Sequence, residues 1–454
     1  MNPPPPRRVA VVGAGIAGLA CAWKLSARAR VTLFEAADRF GGHSHTVDVT
    51  LPGPDGRLRT HGVDTGFLVF NRRTYPRLVE LFERLGVLPS PAEMSFSVQV
   101  PDRGLEWSGA DLRSVFAQPR NLLRPAFWAM LADIVRFNRL ASGLAERGEE
   151  AALREPIGDF LARHRFGTAF RDWYFLPMIG CIWSCPTEQM LRFPVATMIR
   201  FCHNHGLLQV HDRPQWYSVA GGSREYVRKL LVALPDARAA TPVRAVRRGE
   251  HEGVTVETDA GAEHFDALVL ACHADQALRL LQDASAQERS VLGRIRYHAN
   301  RAVLHTDVGL LPRRPRAWAA WNYERAAEGD RERASVCLHY LINRLQPLPF
   351  AQPVIVTLNP AREPDPGRVL GEFEYEHPVF DQAAIDAQQD LPALQGQRRT
   401  WYCGAWTGYG FHEDGLRSGL EVATMLQARF AQERVDRLGT VSHEALAARV
   451  PEAA

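Results

Sequence analysis

Residues Val9–Ala20, reading VAVVGAGIAGLA, constrain what this chain can fold into more than any other segment. An apolar run suited to a strand buried on both faces leads into Gly13-Ala14-Gly15-Ile16-Ala17-Gly18, and a helical pattern follows at once. Glycines at these positions let the backbone turn tightly, approach a pyrophosphate and pack helix against strand. The helix N-terminus then offers unpaired N–H groups to negative charge. A second strand-like run, Val31–Phe34, ends in Glu35, near the offset of about 20 residues at which an acid receives a ribose hydroxyl. Strand, glycines, helix, strand and acid in this order predict an α/β dinucleotide-binding domain. Gly13, Gly15, Ile16, Ala17, Gly18, Glu35 and Ala36 are its expected lining.

Three further segments say which dinucleotide. Arg39-Phe40-Gly41-Gly42-His43-Ser44-His45 follows the acid. Val219-Ala220-Gly221-Gly222-Ser223 opens a helical stretch, and alternating strand patterns begin at Val243. Near the end, Trp401-Tyr402-Cys403-Gly404-Ala405 reads as a strand and Gly410-Phe411-His412-Glu413-Asp414-Gly415-Leu416 as the start of a helix. Together they resemble the flavin-containing amine oxidase superfamily, which includes protoporphyrinogen oxidases and phytoene desaturases. The resemblance implies a Rossmann-type FAD-binding domain interleaved with a mixed α+β substrate domain, and FAD held without a covalent bond. It also implies cofactor contacts at Arg39, Gly41, Gly42, His43, Val243, Gly404, Glu413, Gly415 and Leu416, with His43, Ser44 and His45 near the isoalloxazine. His43 stands where the superfamily has a second arginine, and a neutral imidazole is a weaker pyrophosphate partner than a guanidinium. Ala405 replaces the usual acid after the strand glycine. Asn204–Leu208, Asn343–Gln346, Glu376–Phe380 and Gly408–Gly415 resemble a bacterial subgroup of predicted NAD/FAD-binding oxidoreductases. That subgroup is similar to the oxidase-like domain of plant cyclopropane fatty-acid synthases.

On this pattern residues 8–85, 215–290 and 395–437 are expected to build the FAD domain, and 86–214 with 291–394 the substrate domain. Residues 1–7 are expected to be a disordered extension and 438–454 a flexible tail. A net charge of +3 leaves no electrostatic footprint for nucleic acid. No run reaches the roughly 18 apolar residues of a membrane span, and the first eight residues lack the apolar core of a signal peptide. A cytoplasmic protein is expected, with peripheral contact at the inner membrane face as its membrane option. Seven cysteines, an odd number, read as free thiols. No metal is expected, because Cys181-x-x-x-Cys185 lacks a second pair and His203, His205 and His211 lack acids or cysteines beside them.

The chemistry is narrowed by lysine. The chain has only Lys24 and Lys229, both in predicted helices. Many superfamily amine oxidases place a lysine in the strand that matches Asn300–Thr306, which here has none. His305 in that strand is a candidate base, and His412 and Glu413 are further catalytic candidates. The plainer reading of His305 is a histidine satisfied by a neighbouring strand. Phe411 falls where the amine oxidases carry a cage tyrosine, which suits an apolar substrate. Trp183, Trp318, Trp321 and Tyr323 are candidate pocket residues, with core packing as the alternative. In the insertion, Phe127, Met130, Leu131, Ile134, Phe137 and Leu140 predict a core-facing helix, whose arginines would also suit a membrane surface. The resulting expectation is hydride removal from an apolar substrate, such as a fatty-acyl chain of membrane lipid, with a lipid-modifying methyltransferase as partner. Amine oxidation, and a non-catalytic FAD protein serving a lipid-modifying enzyme, are the alternatives.

Overall fold

The computed structural model describes residues 6–184, 186–209, 213–249, 253–325 and 336–447. Cys185 and His211, considered above as metal ligands, lie outside these residues. The chain divides into two compact units. One comprises the segment ending at Gly42, Val227–Gly293 and the part from Gln388 onward; the other comprises His43–Tyr226 and Arg294–Ala387.

The first unit is built on a five-stranded parallel sheet in the order Ala237–Arg238, Arg30–Phe34, Arg8–Val12, Ala267–Leu270, Thr400–Tyr402. Val9, Ala10, Val11, Leu33 and all of Ala267–Leu270 are fully buried, as strands covered on both faces must be. A three-stranded antiparallel sheet, Val243–Arg248, Val254–Thr258 and Gly261–Phe265, completes this α/β unit. The first helix, Ile16–Ser26, lies against the terminal helix, His412–Ala447. A Cβ at Gly419 would stand 2.1 Å from Ala17 O, so the two backbones meet directly.

The second unit centres on a seven-stranded sheet in the order Val369–Pro378, Tyr297–His305, Ile355–Leu358, Cys337–Leu341, Trp321–Glu324, Phe96–Val100, Leu105–Ser108. Every neighbouring pair is antiparallel except Trp321–Glu324 with Phe96–Val100. Helices fill the insertion, and the expected core-facing one is Pro125–Glu146. Its Phe137 is fully buried among the rings of Phe166, Phe170 and Phe175 at 5.7, 5.5 and 5.1 Å.

The boundaries differ from the sequence reading: residues 291–293 and 388–394 belong to the first unit. Residues 43–85 and 215–226 join the second unit, because Asp64 accepts from Ser223 N at 2.9 Å, Ser223 Oγ at 2.8 Å and Gln346 Nε2 at 2.8 Å. In addition, Phe70–Asn71 and Pro89–Ala92 pair with opposite edges of Trp216–Val219. Arg7 is no part of a disordered extension, since its guanidinium bridges Asp266 at 2.8 Å and Glu433 at 2.6 Å. The chain is helical beyond Arg437, to Ala447.

Candidate active site

In the first unit the glycines hold a cradle open. Gly13 has φ +101, and a Cβ there would stand 2.9 Å from Ala271 O. A Cβ at Gly18 would fall 1.9 Å from Gly13 O, so turn and helix pack backbone to backbone. Gly15 differs. It caps the first helix, and a Cβ on it would meet nothing within 4 Å. Vacant space therefore adjoins the helix end, where the N–H groups of Ile16, Ala17 and Gly18 have no intrahelical acceptor. The Gly41-Gly42 turn closes over this loop: Gly41 N–H donates to Ala14 O at 2.8 Å, and a Cβ on Gly42 would lie 3.1 Å from Gly15 Cα. Arg39 holds the turn through Nη1 to Gly42 O at 2.8 Å.

Glu35 accepts from Ala14 N at 2.8 Å with one oxygen and from Ala37 N at 3.0 Å with the other. Each oxygen keeps a lone pair for a hydroxyl. Ala36 beside it is exposed. Thr241 N–H donates to Glu35 O at 2.8 Å, which brings Val243, two residues on, to the same end of the sheet. The terminal helix begins against the first: a Cβ on Gly415 would lie 2.8 Å from Ile16 Cγ2. Two helix N-termini thus converge, a favourable setting for anionic groups. An open cradle, an acid with spare acceptors and paired helix ends fit the pyrophosphate and ribose of a flavin dinucleotide.

Other expected contacts behave differently. Gly404 N–H is spent on Ser418 Oγ at 3.0 Å, and Leu416 is fully buried. His412 is buried, which pulls its pKa down to about 3 and keeps the imidazole neutral. That makes it a poor proton acceptor at neutral pH. Glu413 is half-buried in the first turn of the terminal helix. The side chain that shapes this loop is one the sequence reading passed over, Asp414, whose Oδ2 accepts from Tyr409 N at 3.0 Å and Phe411 N at 3.2 Å. The half-buried Phe411 is thereby anchored through its backbone.

In the second unit, His43 follows the glycine turn and enters a cluster of rings. Its ring lies 5.2 Å from Tyr375 and 5.3 Å from His377. Tyr375 OH is 3.0 Å from His45 Nδ1 and 2.7 Å from Thr65 Oγ1. His377 Nδ1 is 3.2 Å from Asn300 Nδ2, and Asn359 Nδ2 donates to Asn300 Oδ1 at 2.8 Å. Strand alternation turns Phe373, Tyr375 and His377 inward while Glu372, Glu374 and Glu376 stay exposed.

Register divides the seven-stranded sheet into two unlike faces. Residues paired across strands share a face. From Phe373↔Ala302, Ala302↔Leu358, Leu358↔Leu338, Leu338↔Tyr323 and Tyr323↔Val98, one face is apolar and aromatic, with Asn300, Tyr375 and His377 at its far edge. Trp321 and Tyr323 both belong to it, and Trp321 packs edge-on to Tyr340 at 5.0 Å. Trp183 lies in the helical core instead, with Phe201 at 5.0 Å and Phe193 at 5.8 Å. Trp318 packs against Leu311, Leu341 and Ile355, so it is no part of the aromatic face.

The opposite face carries a buried polar belt. His305 Nε2 meets Thr357 Oγ1 at 2.7 Å, that hydroxyl meets His339 Nδ1 at 2.9 Å, and His339 Nε2 meets Glu324 Oε2 at 3.1 Å. Asp307 N–H donates to His305 Nδ1 at 3.0 Å, so both nitrogens of this fully buried ring are engaged. Burial and the neighbouring His339 pull the His305 pKa down to about 4. The strand-satisfied reading of His305 is therefore the one the geometry supports. Burial opposes charge on His339, but Cys337 and Glu324 outweigh it and push its pKa up to about 9. Glu324, Cys337 and His339 place ligand-type atoms within 4.8 Å of one another. Arg362 Nε also lies 3.3 Å from Glu324 Oε1, which makes the group a buried ion-paired cluster as it stands. His205, once a metal candidate, is stacked on Phe201 at 3.9 Å and held neutral, burial pulling its pKa down to about 4.

Comparison with known proteins agrees with this geometry. The sequence profile described as "Flavin containing amine oxidoreductase" matches residues 16–306. The carotenoid phi-ring synthase of Streptomyces griseus is 33% identical over 299 residues, 62% of this chain and 54% of that protein. The chain spans from about a third to somewhat over half the length of the curated relatives it matches. Among solved structures, the CLA-producing fatty acid isomerase from P. acnes superposes with TM-score 0.62 at 18% identity, over 92% of this chain and 98% of that one. Cyclohexylamine oxidase from Brevibacterium oxydans IH-35A gives 0.64 at 16%, over 94% and 100%. At such identities the likeness is one of fold.

Proposed function

This chain belongs to the flavin-containing amine oxidoreductase family, and from that premise we propose that it takes hydrogen from an apolar substrate, a fatty-acyl chain of membrane lipid, rather than from an amine. It is an FAD-dependent oxidoreductase, and the cofactor supplies a two-electron acceptor for a substrate C–H bond. The observation that carries the reading is the apolar sheet face, which bears no Lys, Arg, Asp or Glu from Phe373 across to Val98. An ammonium group would find no counter-charge there, whereas an acyl chain gains about 25 cal/mol per Å² of surface it buries. The 33% identical carotenoid phi-ring synthase, named for an apolar molecule, also supports this reading.

The second hydrogen leaves as a proton, and the imidazole–phenol cluster takes it. The phenol of Tyr375 takes the substrate's proton as it passes its own to His45 Nδ1, 3.0 Å away, and Thr65 Oγ1 orients the phenol from 2.7 Å. The ring of His43, one residue beyond the glycine turn, lies tilted beside Tyr375 at 5.2 Å. A lipid-modifying methyltransferase would act on the same chains and is the proposed partner.

Anaerobic titration of the flavin-loaded protein with unsaturated and methyl-branched phospholipids is expected to bleach the flavin absorbance, while small primary amines leave it intact. Bleaching by amines alone would install the amine-oxidase reading, and bleaching by neither would favour a non-catalytic role. Tyr375→Phe is expected to slow bleaching about 100-fold, at the lower end of general acid–base contributions, without moving the flavin band. An unchanged rate would remove the cluster from the mechanism.

A further inference from the structure

Most large apolar side chains of the second unit are buried, but a group of them between residues 112 and 135 is not. Leu112 is 79% exposed, Leu123 85%, Val135 55% and Trp128 49%. Leu122, Leu123 and Trp128 adjoin, because Trp128 Nε1 donates to Leu122 O at 2.9 Å and its ring lies 5.5 Å from Phe116. On the helix Pro125–Glu146, Phe127, Met130 and Phe137 face the core. Trp128, Ala132 and Val135, spaced four and three apart, line the outer side. Such residues set singly need no explanation, whereas a contiguous group of them does.

Charge says what covers it. Residues 111–136 carry Arg113, Arg120, Arg124 and Arg136 against Asp111 and Asp133, a net basic balance. Arg120 and Arg124 are close enough for one guanidinium to depress the pKa of its neighbour, after the burial that comes first. Both reach back to carbonyls of the same turn, Arg120 to Gly104 O and Arg124 to Arg103 O. The short helix Leu112–Val115 packs against Pro315–Ala317, where Arg316 and the preceding Arg313 and Arg314 are exposed. A protein partner would have to supply an apolar groove ringed by acids, whereas an anionic lipid surface provides acyl depth and headgroup charge at once. No helix among the described residues is long and apolar enough to cross a membrane.

We propose that the arginine-rimmed knob formed by Leu122, Leu123 and Trp128 seats this protein on an anionic phospholipid bilayer. The leucines and the indole enter the acyl boundary, and the guanidiniums pair with lipid phosphates. The seat stands whether or not acyl chains are the substrate.

The test is binding rather than turnover, so it fails or succeeds separately from the reaction proposed above. Flavin-loaded protein is mixed with vesicles of phosphatidylglycerol and phosphatidylethanolamine, or of phosphatidylcholine alone, and sedimented. Binding to the anionic vesicles, at least tenfold weaker to phosphatidylcholine and weakened by salt, is the expected result. Leu122→Glu/Leu123→Glu, at two exposed positions outside the cofactor cradle, is expected to bind at least tenfold less while keeping its flavin spectrum and melting temperature. Brominated lipids should quench wild-type emission more than that of Trp128→Phe. Wild-type protein left in the supernatant, a double variant that sediments normally, or equal quenching of the two proteins would each overturn the proposal.

Discussion

Gly18→Ala is expected to yield protein without bound flavin and with a markedly lower melting temperature, whereas Gly15→Ala should lose the flavin but keep the fold. The two glycines sit in one loop and differ in what a methyl group would meet. At position 18 it would fall 1.9 Å from Gly13 O and 3.1 Å from Ala271 Cβ. The first of these is backbone, which cannot swing aside, so the helix must lift off the strand. Overpacking typically costs 1–3 kcal/mol, and a clash against main chain belongs at about 3 kcal/mol or above. At position 15 the methyl meets no protein atom, and φ of −71 suits alanine. The apoprotein should therefore melt within about 0.5 kcal/mol of wild type, as neutral substitutions do. The methyl does occupy the space assigned to the pyrophosphate, so flavin affinity should fall at least tenfold, equivalent to about 1.4 kcal/mol. Melting must be compared on apoproteins, because bound ligand itself raises stability. Gly15→Ala protein that binds flavin like wild type would show that the cradle holds something else.

Arg248→Met should destabilise the first unit by about 3–5 kcal/mol, the usual cost of leaving one member of a buried ion pair behind. The Arg248 side chain is fully buried, with Nε donating to Asp283 Oδ1 at 2.9 Å and Nη2 to Glu288 Oε2 at 2.9 Å. Tyr402 OH and Ser285 N also donate to Glu288. Burial pushes the Glu288 pKa up, but hydrogen bonds from Arg248, Tyr402 and Ser285 outweigh it, leaving it at about 2 against an ordinary value of 4.5. A carboxylate depressed in this way stabilises the fold fully above its unfolded pKa, and that stability is lost as pH falls through the folded one. Wild type should therefore weaken progressively between about pH 4.5 and 2. The variant lacks the cation that Glu288 needs, so the gap between the two proteins should narrow on acidification. Urea melts at pH 7.5 and pH 4 measure this. Arg248→Met/Glu288→Leu should recover much of the loss, since it removes the stranded charge. A gap below about 1 kcal/mol, or one independent of pH, would mean that the cluster contributes little.

The cofactor half was legible because its signals are local. Gly13, Gly15 and Gly18 state their backbone requirements within six positions, and the Gly41-Gly42 turn that closes on them follows Glu35 by six. No knowledge of distant partners is needed to read a glycine whose role is the absence of a side chain. Catalytic assignments fared differently for the same reason inverted. A histidine's role is set by its neighbours, and those of His305 are Thr357, 52 positions away, and then His339. Tyr375, His377, Asn300 and Asp64 gave no local signal, because each acquires its chemistry only from residues far along the chain.

The chain's own order of residues thus decided the α/β class, the dinucleotide cradle and the helix that faces the core, all consequences of backbone geometry and short-range periodicity, while flavin as the dinucleotide came from the family resemblance. Tertiary structure alone decided which side of the seven-stranded sheet is greasy and which is charged. Strand residues alternate with a period of two, so each strand on its own reads equally well with either side inward. Pairing Thr357 with His339 and Leu358 with Leu338 settles the choice for the whole sheet. Only then do Tyr323, Tyr340 and Tyr375 fall on one face and His305 on the other.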